Sequence, residues 1–194
     1  MGYTTDFSGS FELNKELEPN MKMFLTKLNE TRRMKRNVSD KFGVDGEFFV
    51  DGEGSFGQGS TSDIVDFNEP PSTQPGLWCQ WTPTQDGMGI EWDGGEKFYC
   101  YTEWLVYIIN KILEPNGYVL NGVVQWQGED IGDVGEIFVE DNKVFTQEWK
   151  GSKNEIEPCD VQKNSYSNGN FNLLTDYMQT DLVLIFKESK VGEK

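Results

Sequence analysis

The stretch FYCYTEWLVYIINKIL, residues 98–113, decides the fold. Phe98, Tyr101, Trp104, Leu105, Ile108, Ile109, Ile112 and Leu113 recur at helical spacing and make one broad apolar face. Pro115-Asn116-Gly117 then stops the helix, because proline cannot continue it and glycine tolerates the left-handed turn. Three runs with strand character follow: Tyr118 to Trp126, Glu136 to Glu140 and Lys143 to Trp149. Asp141-Asn142 supplies a hairpin turn between the last two. A helix followed by strands with no helix between them points to antiparallel sheet.

Upstream, Gly89 to Trp92 and Leu77 to Thr82 read as strands joined by a turn at Gln85-Asp86-Gly87. Gly46 to Asp51 reads as another short strand. From Gly52 to Gly76 the periodicity disappears into glycine, serine and proline, and loops of this length tend to be functional or disordered. A first helix opens at Glu18-Pro19-Asn20, carries the stripe Leu17, Met21, Phe24, Leu25 and Leu28, and runs out in Thr31-Arg32-Arg33-Met34-Lys35-Arg36. Tyr3 to Leu13 alternates as a strand. Downstream, residues 150–170 are polar and loop-like, and Leu182 to Phe186 is a final buried strand. The expectation is one acidic α+β domain over residues 1–194. Its antiparallel sheet and two helices follow in the order β-α-βββ-α-βββ-β, which suggests a duplicated α-βββ unit.

The 194 residues include six Trp and thirteen Phe, enough large rings to build a core despite 36% hydrophobic content. Histidine is absent, which removes histidine triads, histidine general bases and histidine-ligated zinc together. Three widely spaced cysteines, Cys79, Cys100 and Cys159, suit neither a disulfide framework nor a zinc site, and Cys79 and Cys100 read as buried small apolar residues. No apolar run is long enough to span a membrane, no secretory signal opens the chain, and Asp6 spoils a myristoylation motif. The expected compartment is the cytoplasm. Net charge is −16, unevenly spread: residues 1–44 carry +2, residues 45–149 carry −17, and residues 150–194 carry −1. The middle of the chain therefore repels nucleic-acid phosphates and anionic membranes, and attracts cations and basic protein surfaces.

Four segments are candidate sites. Glu91-Trp92-Asp93-Gly94-Gly95-Glu96 lies between a strand and the second helix. It reads as a carboxylate site for a cation or basic side chain, or as a tight connection whose acids cap the helix. Trp126-Gln127-Gly128-Glu129-Asp130, with Asp133 nearby, repeats the pattern of tryptophan, glycine and acids at a strand end. Neither matches a calcium-binding loop. Arg32, Arg33 and Arg36, the only arginines in the chain, cluster with Lys35. They complement a helix C-terminus, or clamp an internal acidic segment, a nucleotide ligand or a partner. On the binding reading, replacing all three by Gln leaves the fold intact, with the melting temperature lowered by only a few degrees. Leu77-Trp78-Cys79-Gln80-Trp81, with Trp92 and Trp104, supplies core aromatics or a ring-lined pocket.

Three runs together, Gln74 to Trp81, Ile90 to Tyr99, and Gly117 to Gly122 leading to Trp126-Gln127-Gly128-Glu129, resemble a family of small uncharacterised proteins of bacteriophages and bacterial genomes. The resemblance covers roughly Tyr3 to Trp149 and leaves the C-terminal segment uncovered. It assigns no site residue and implies only a phage-related intracellular context, hence a host cytoplasm.

The leading functional expectation is a non-enzymatic binding protein that presents an acidic face to a basic host protein, with imitation of DNA charge or anti-defence action as its extreme. The alternative is a domain that holds a small phosphorylated molecule or nucleotide through the arginines and tryptophans. A carboxylate-based, metal-dependent hydrolase is the third reading. No cofactor, no metal, no direct nucleic-acid contact and no membrane contact are expected.

Overall fold

The computed structural model describes residues 2–50, 52–59, 62–150 and 157–158. The chain is α+β, as its periodicities predict, and the sheet is antiparallel at every described pairing. The N-terminal run forms β1 (Thr5–Ser8) and β2 (Ser10–Leu13), interrupted at Gly9. Gly9 takes φ 104° and passes close to the Val123 carbonyl, a conformation and a space that suit glycine. Both strands keep one register against β7 (Leu120–Gly128), from Thr5 opposite Gly128 to Leu13 opposite Leu120.

Helix α1 (Pro19–Glu30) follows, then a short strand β3 (Lys35–Arg36) that pairs with β4 (Ile64–Asp66) in a separate ribbon. Strands β5 (Trp81–Pro83) and β6 (Gly89–Trp92) form a hairpin whose β6 pairs with β2. Helix α2 (Tyr101–Ile108) continues through a π-helical turn at Ile109–Leu113. Beyond it β7, β8 (Val134–Glu140) and β9 (Lys143–Lys150) form a meander, closed by β10 (Glu157–Pro158). The sheet order is β10-β9-β8-β7-β2-β6-β5, with β1 extending β2 along β7. Asp141 and Asn142, at φ 47° and 65°, make the β8–β9 turn as their residue types predict.

One face of the sheet builds the core. Phe7, Phe11, Leu13, Ile90, Leu120, Val124, Trp126, Ile137 and Val139 alternate onto it. They meet Phe24, Leu25 and Leu28 of α1 and Trp104, Leu105 and Ile108 of α2. Phe7 sits at the focus, with ring centroids of Trp81, Trp92, Phe98 and Tyr101 at 4.9–6.0 Å, all edge-on. Each such pair adds about 0.5–1.5 kcal/mol beyond the area it buries.

Several expectations need correction. Helix α1 ends at Glu30, before the arginines. Thr31 is already extended, and the amides of Arg32 and Arg33 bond to the carbonyls of Phe56 and Leu77. Over Gly46 to Asp51 the described residues form no strand. The two phenylalanines serve different clusters, Phe48 tilted onto Phe24 and Phe49 against Phe42 and the Arg36 guanidinium. The stretch from Gly52 to Gly76 contains β4 and a 3-10 turn at Ser55–Gly57. The strand expected from Leu77 begins only at Trp81. The two helices are followed by different arrangements, α1 by a ribbon outside the sheet and a hairpin, α2 by a three-stranded meander. A repeated α-βββ unit is therefore not what the chain builds. The expected strand Leu182 to Phe186, and most of the polar segment 150–170 with Cys159, lie outside the described residues.

Candidate functional site

The arginine cluster turns inward. Arg33 is only 2% exposed. It donates to the carbonyl oxygens of Glu47 (2.7 Å) and Phe49 (2.8 Å) and to Gln74 Oε1 (3.2 Å). Burial lowers its pKa from the usual 12.5 to about 10. Gln74 Nε2 donates to the same Glu47 carbonyl and to the Tyr107 hydroxyl, and that hydroxyl donates to Glu47 Oε2. Burial raises the Tyr107 pKa well above its ordinary value. Arg36 stacks on Phe49 at 4.4 Å and donates to the Gly57 carbonyl. Arg32, half-buried, donates to Gln58 Oε1 and Asn68 Oδ1. The three guanidiniums thus pin the 40–76 segment to the body of the protein. The expected placement at a helix end is corrected, and these hydrogen bonds of the guanidiniums go to the protein's own carbonyl oxygens rather than to acidic side chains.

The two segments of tryptophan, glycine and acids do share one end of the sheet, because β6 and β7 both run antiparallel to the N-terminal strand. Trp92 and Trp126 flank Phe7 there, Trp92 as its ring neighbour at 5.5 Å and Trp126 as its cross-strand partner. Three of the acids, Asp93, Glu129 and Asp133, have internal work. Asp93 accepts from the Gly95 amide (2.7 Å) and from Asn29 Nδ2 of α1 (2.7 Å). Trp92 Nε1 donates to Gln80 Oε1, and Gln80 Nε2 donates to the Glu96 carbonyl. Glu129 Oε1 accepts from the Thr4 amide, and Asp133 accepts from the Tyr3 hydroxyl, whose pKa that bond raises. The hydroxyl in turn accepts from the Asp130 amide. These carboxylates tie loops and the N-terminus together. Among the described residues no group of three or more histidines, cysteines, aspartates or glutamates is arranged to hold a metal ion. Of the expected ring-lined pocket, Trp81 and Trp104 are core residues, while Trp78 packs edge-on against Phe56 at the surface.

The other face of the sheet carries a pattern that residue-by-residue inspection misses. Alternation brings onto it Asp6 and Ser8 of β1, Ser10 and Glu12 of β2, and Glu91 of β6. It also brings Asn121, Val123, Gln125 and Gln127 of β7, Val134, Glu136, Phe138 and Glu140 of β8, and Lys143 and Phe145 of β9. Among the described residues Asp6, Glu12, Glu91, Glu136 and Glu140 therefore share this face with a single cation, Lys143. Val123, Phe138 and Phe145 form an apolar row across β7, β8 and β9, with the two phenyl rings stacked at 4.8 Å and 13°. Val123 is 49% exposed, and among the described residues no helix packs on this side. Six of these side chains, Asp6, Ser8, Gln125, Gln127, Val134 and Glu136, surround the backbone of Phe7, Trp126 and Gly135 in a trough of about 480 Å³. Gln125 Nε2 donates to Glu136 Oε1 across it (3.1 Å). Of the residues in the segments singled out from sequence, Glu91 and Gln127 belong to this face. The detectable signal was the alternation in β7 and β8, which places every second residue together once the register is known.

Compared with family models, with curated proteins and with solved structures, the chain matches none. No helix of the described residues is long and apolar enough to cross a membrane.

Proposed function

We propose that the protein is a non-enzymatic binding module whose open sheet face docks a basic protein surface. The observation that carries this reading is the sheet face on which, among the described residues, no helix packs and five carboxylates and one lysine surround a row of three apolar side chains. Aromatic and aliphatic side chains supply desolvation energy at interface centres, and a charged surround steers encounter and rejects partners of the wrong sign. The resemblance to phage-borne proteins makes a host protein, including a nucleic-acid-binding or defence protein, the partner of choice. The reading through a small phosphorylated ligand has less support, because the arginines it needs are spent on the protein's own carbonyls.

The test begins with capture on the immobilised full chain and identification of the bound protein by mass spectrometry. Association of the purified pair is then followed from about 50 to about 150 mM salt. A basic partner whose association slows steeply over that range supports the reading. A neutral or acidic partner, or a salt-insensitive complex, overturns it.

A further inference from the structure

The trough on the open face has a definite chemistry. Its six side chains stand in two rows across three strands, Asp6-Gln127-Val134 and Ser8-Gln125-Glu136. The third row, Val123-Phe138-Phe145, lies on the same face of the meander. A ligand crossing the trough therefore meets a carboxylate at opposite corners, neutral amides and a hydroxyl between them, and an apolar strip alongside. Two glutamines provide both donors and acceptors, and one of them is already oriented by Glu136. Among the trough's side chains the only formal charges are those of Asp6 and Glu136, both negative.

We infer that this trough is the docking site for an extended, lysine- or arginine-bearing segment of the partner. The segment lies across β1, β7 and β8, with its cationic side chains toward Asp6 and Glu136 and an apolar neighbour on Val123, Phe138 and Phe145. The inference rests on the binding reading above and adds to it a location and a mode. Charge complementarity selects the occupant, since an ammonium or guanidinium satisfies the carboxylates that an acidic or phosphate-bearing segment would leave opposed. The amides then act on the peptide backbone of the segment, which gives the site selectivity for a chain over a free cation.

The experiment uses the full chain and a synthetic peptide of alternating lysine and alanine, with the glutamate–alanine peptide as the opposite-sign probe. Amide shifts in two-dimensional NMR locate the contact, and titration gives the affinity. The paired variants are Asp6→Asn with Glu136→Gln, which empties the trough of charge, and Glu103→Gln with Glu114→Gln, which removes the same charge from outside the sheet. A third variant, Gln125→Ala with Gln127→Ala, leaves net charge untouched. The lysine peptide is expected to shift the amides of residues 6–8, 125–127 and 134–136. Its binding should weaken about tenfold in the first and third variants and less than about threefold in the second. Equal weakening by the two charge-removing pairs, with no effect of the amide pair, would show attraction by the field of the whole protein. The trough would then be discarded while the acidic binding reading stands. Binding of neither peptide, or preference for the glutamate peptide, would overturn both. Circular dichroism of each variant checks that the fold is kept.

Discussion

Replacing Arg33 by Met removes a guanidinium from the interior while keeping an unbranched side chain of comparable reach. Three hydrogen bonds disappear with it. The Glu47 carbonyl retains the Gln74 Nε2 donor, but the Phe49 carbonyl and Gln74 Oε1 lose the donor that Arg33 gave them. A buried acceptor left without a donor costs about 1–3 kcal/mol. Against this stands the relief of a desolvated charge. The fall of the Arg33 pKa from 12.5 to about 10 corresponds to about 3 kcal/mol. That cost is already offset in the folded protein by charge-assisted bonds worth about 1.5–3 kcal/mol each. The net expectation is a loss of about 2–4 kcal/mol, or roughly 10 °C in melting temperature for a domain of this size. Urea and thermal unfolding followed by tryptophan fluorescence measure it, and hydrogen exchange adds the location. The amides of the 40–58 segment should lose protection before those of β7 and β8. A melting temperature within about 2 °C of the parent would refute the account, and with it the idea that the arginines hold this segment. The triple Gln replacement, expected from sequence to be tolerated, should be more damaging still.

Alkaline pH should destabilise the protein from about pH 9. Burial raises the Cys79 thiol from 9.0 to about 12, so the unfolded chain loses that proton first and stability falls between those values, by up to about 1.4 kcal/mol per pH unit. Arg33 acts in the opposite sense only above about pH 10, so Cys79→Ala should flatten the decline of melting temperature between pH 9 and 10, and an unchanged slope would count against a buried thiol. Gly135→Ala should cost about 1–3 kcal/mol in urea unfolding, because its methyl would collide with the Gln147 carbonyl and lie 2.5 Å from the Trp126 ring. An undisturbed midpoint would mean that the Trp126 ring does not cover that glycine.

What could be read from the sequence was local. The apolar period of residues 98–113, helical from Tyr101 onward, the alternation of β7 to β9 and the Asp141-Asn142 turn each depend on neighbours along the chain. All three stand in the structure. The partners of Arg33 lie 14–41 residues away, on a segment with no periodicity of its own, so nothing near it in the chain signals burial. A basic run after a helical stripe looks like a helix end unless those distant carbonyls are known. Phe48-Phe49 reads as strand because two adjacent rings fit a buried strand as well as a turn that sends each ring to a different cluster. The bias toward acid in the middle of the chain was visible in the counts. That Asp6 and Glu12, from the weakly basic first part, share a surface with Glu91, Glu136 and Glu140 followed only from strand register.

The N-terminal strand lies between β6 and β7, both of which come far later in the chain. Thr4 bonds to Glu129, 125 residues downstream. This strand is synthesised before either of its partners and stays unpaired until β6 and β7 have both been made. It must wait, with Phe7 and Phe11 uncovered, until the hairpin and the meander that flank it have both been made. Those two halves touch the same strand from opposite sides and are zipped together by it, so assembly depends on a late long-range closure. A nascent chain arrested before β7 would lack the partner for β1 and expose its central aromatic residues to chaperones. Loss of residues 5–13 would cut the sheet along its middle.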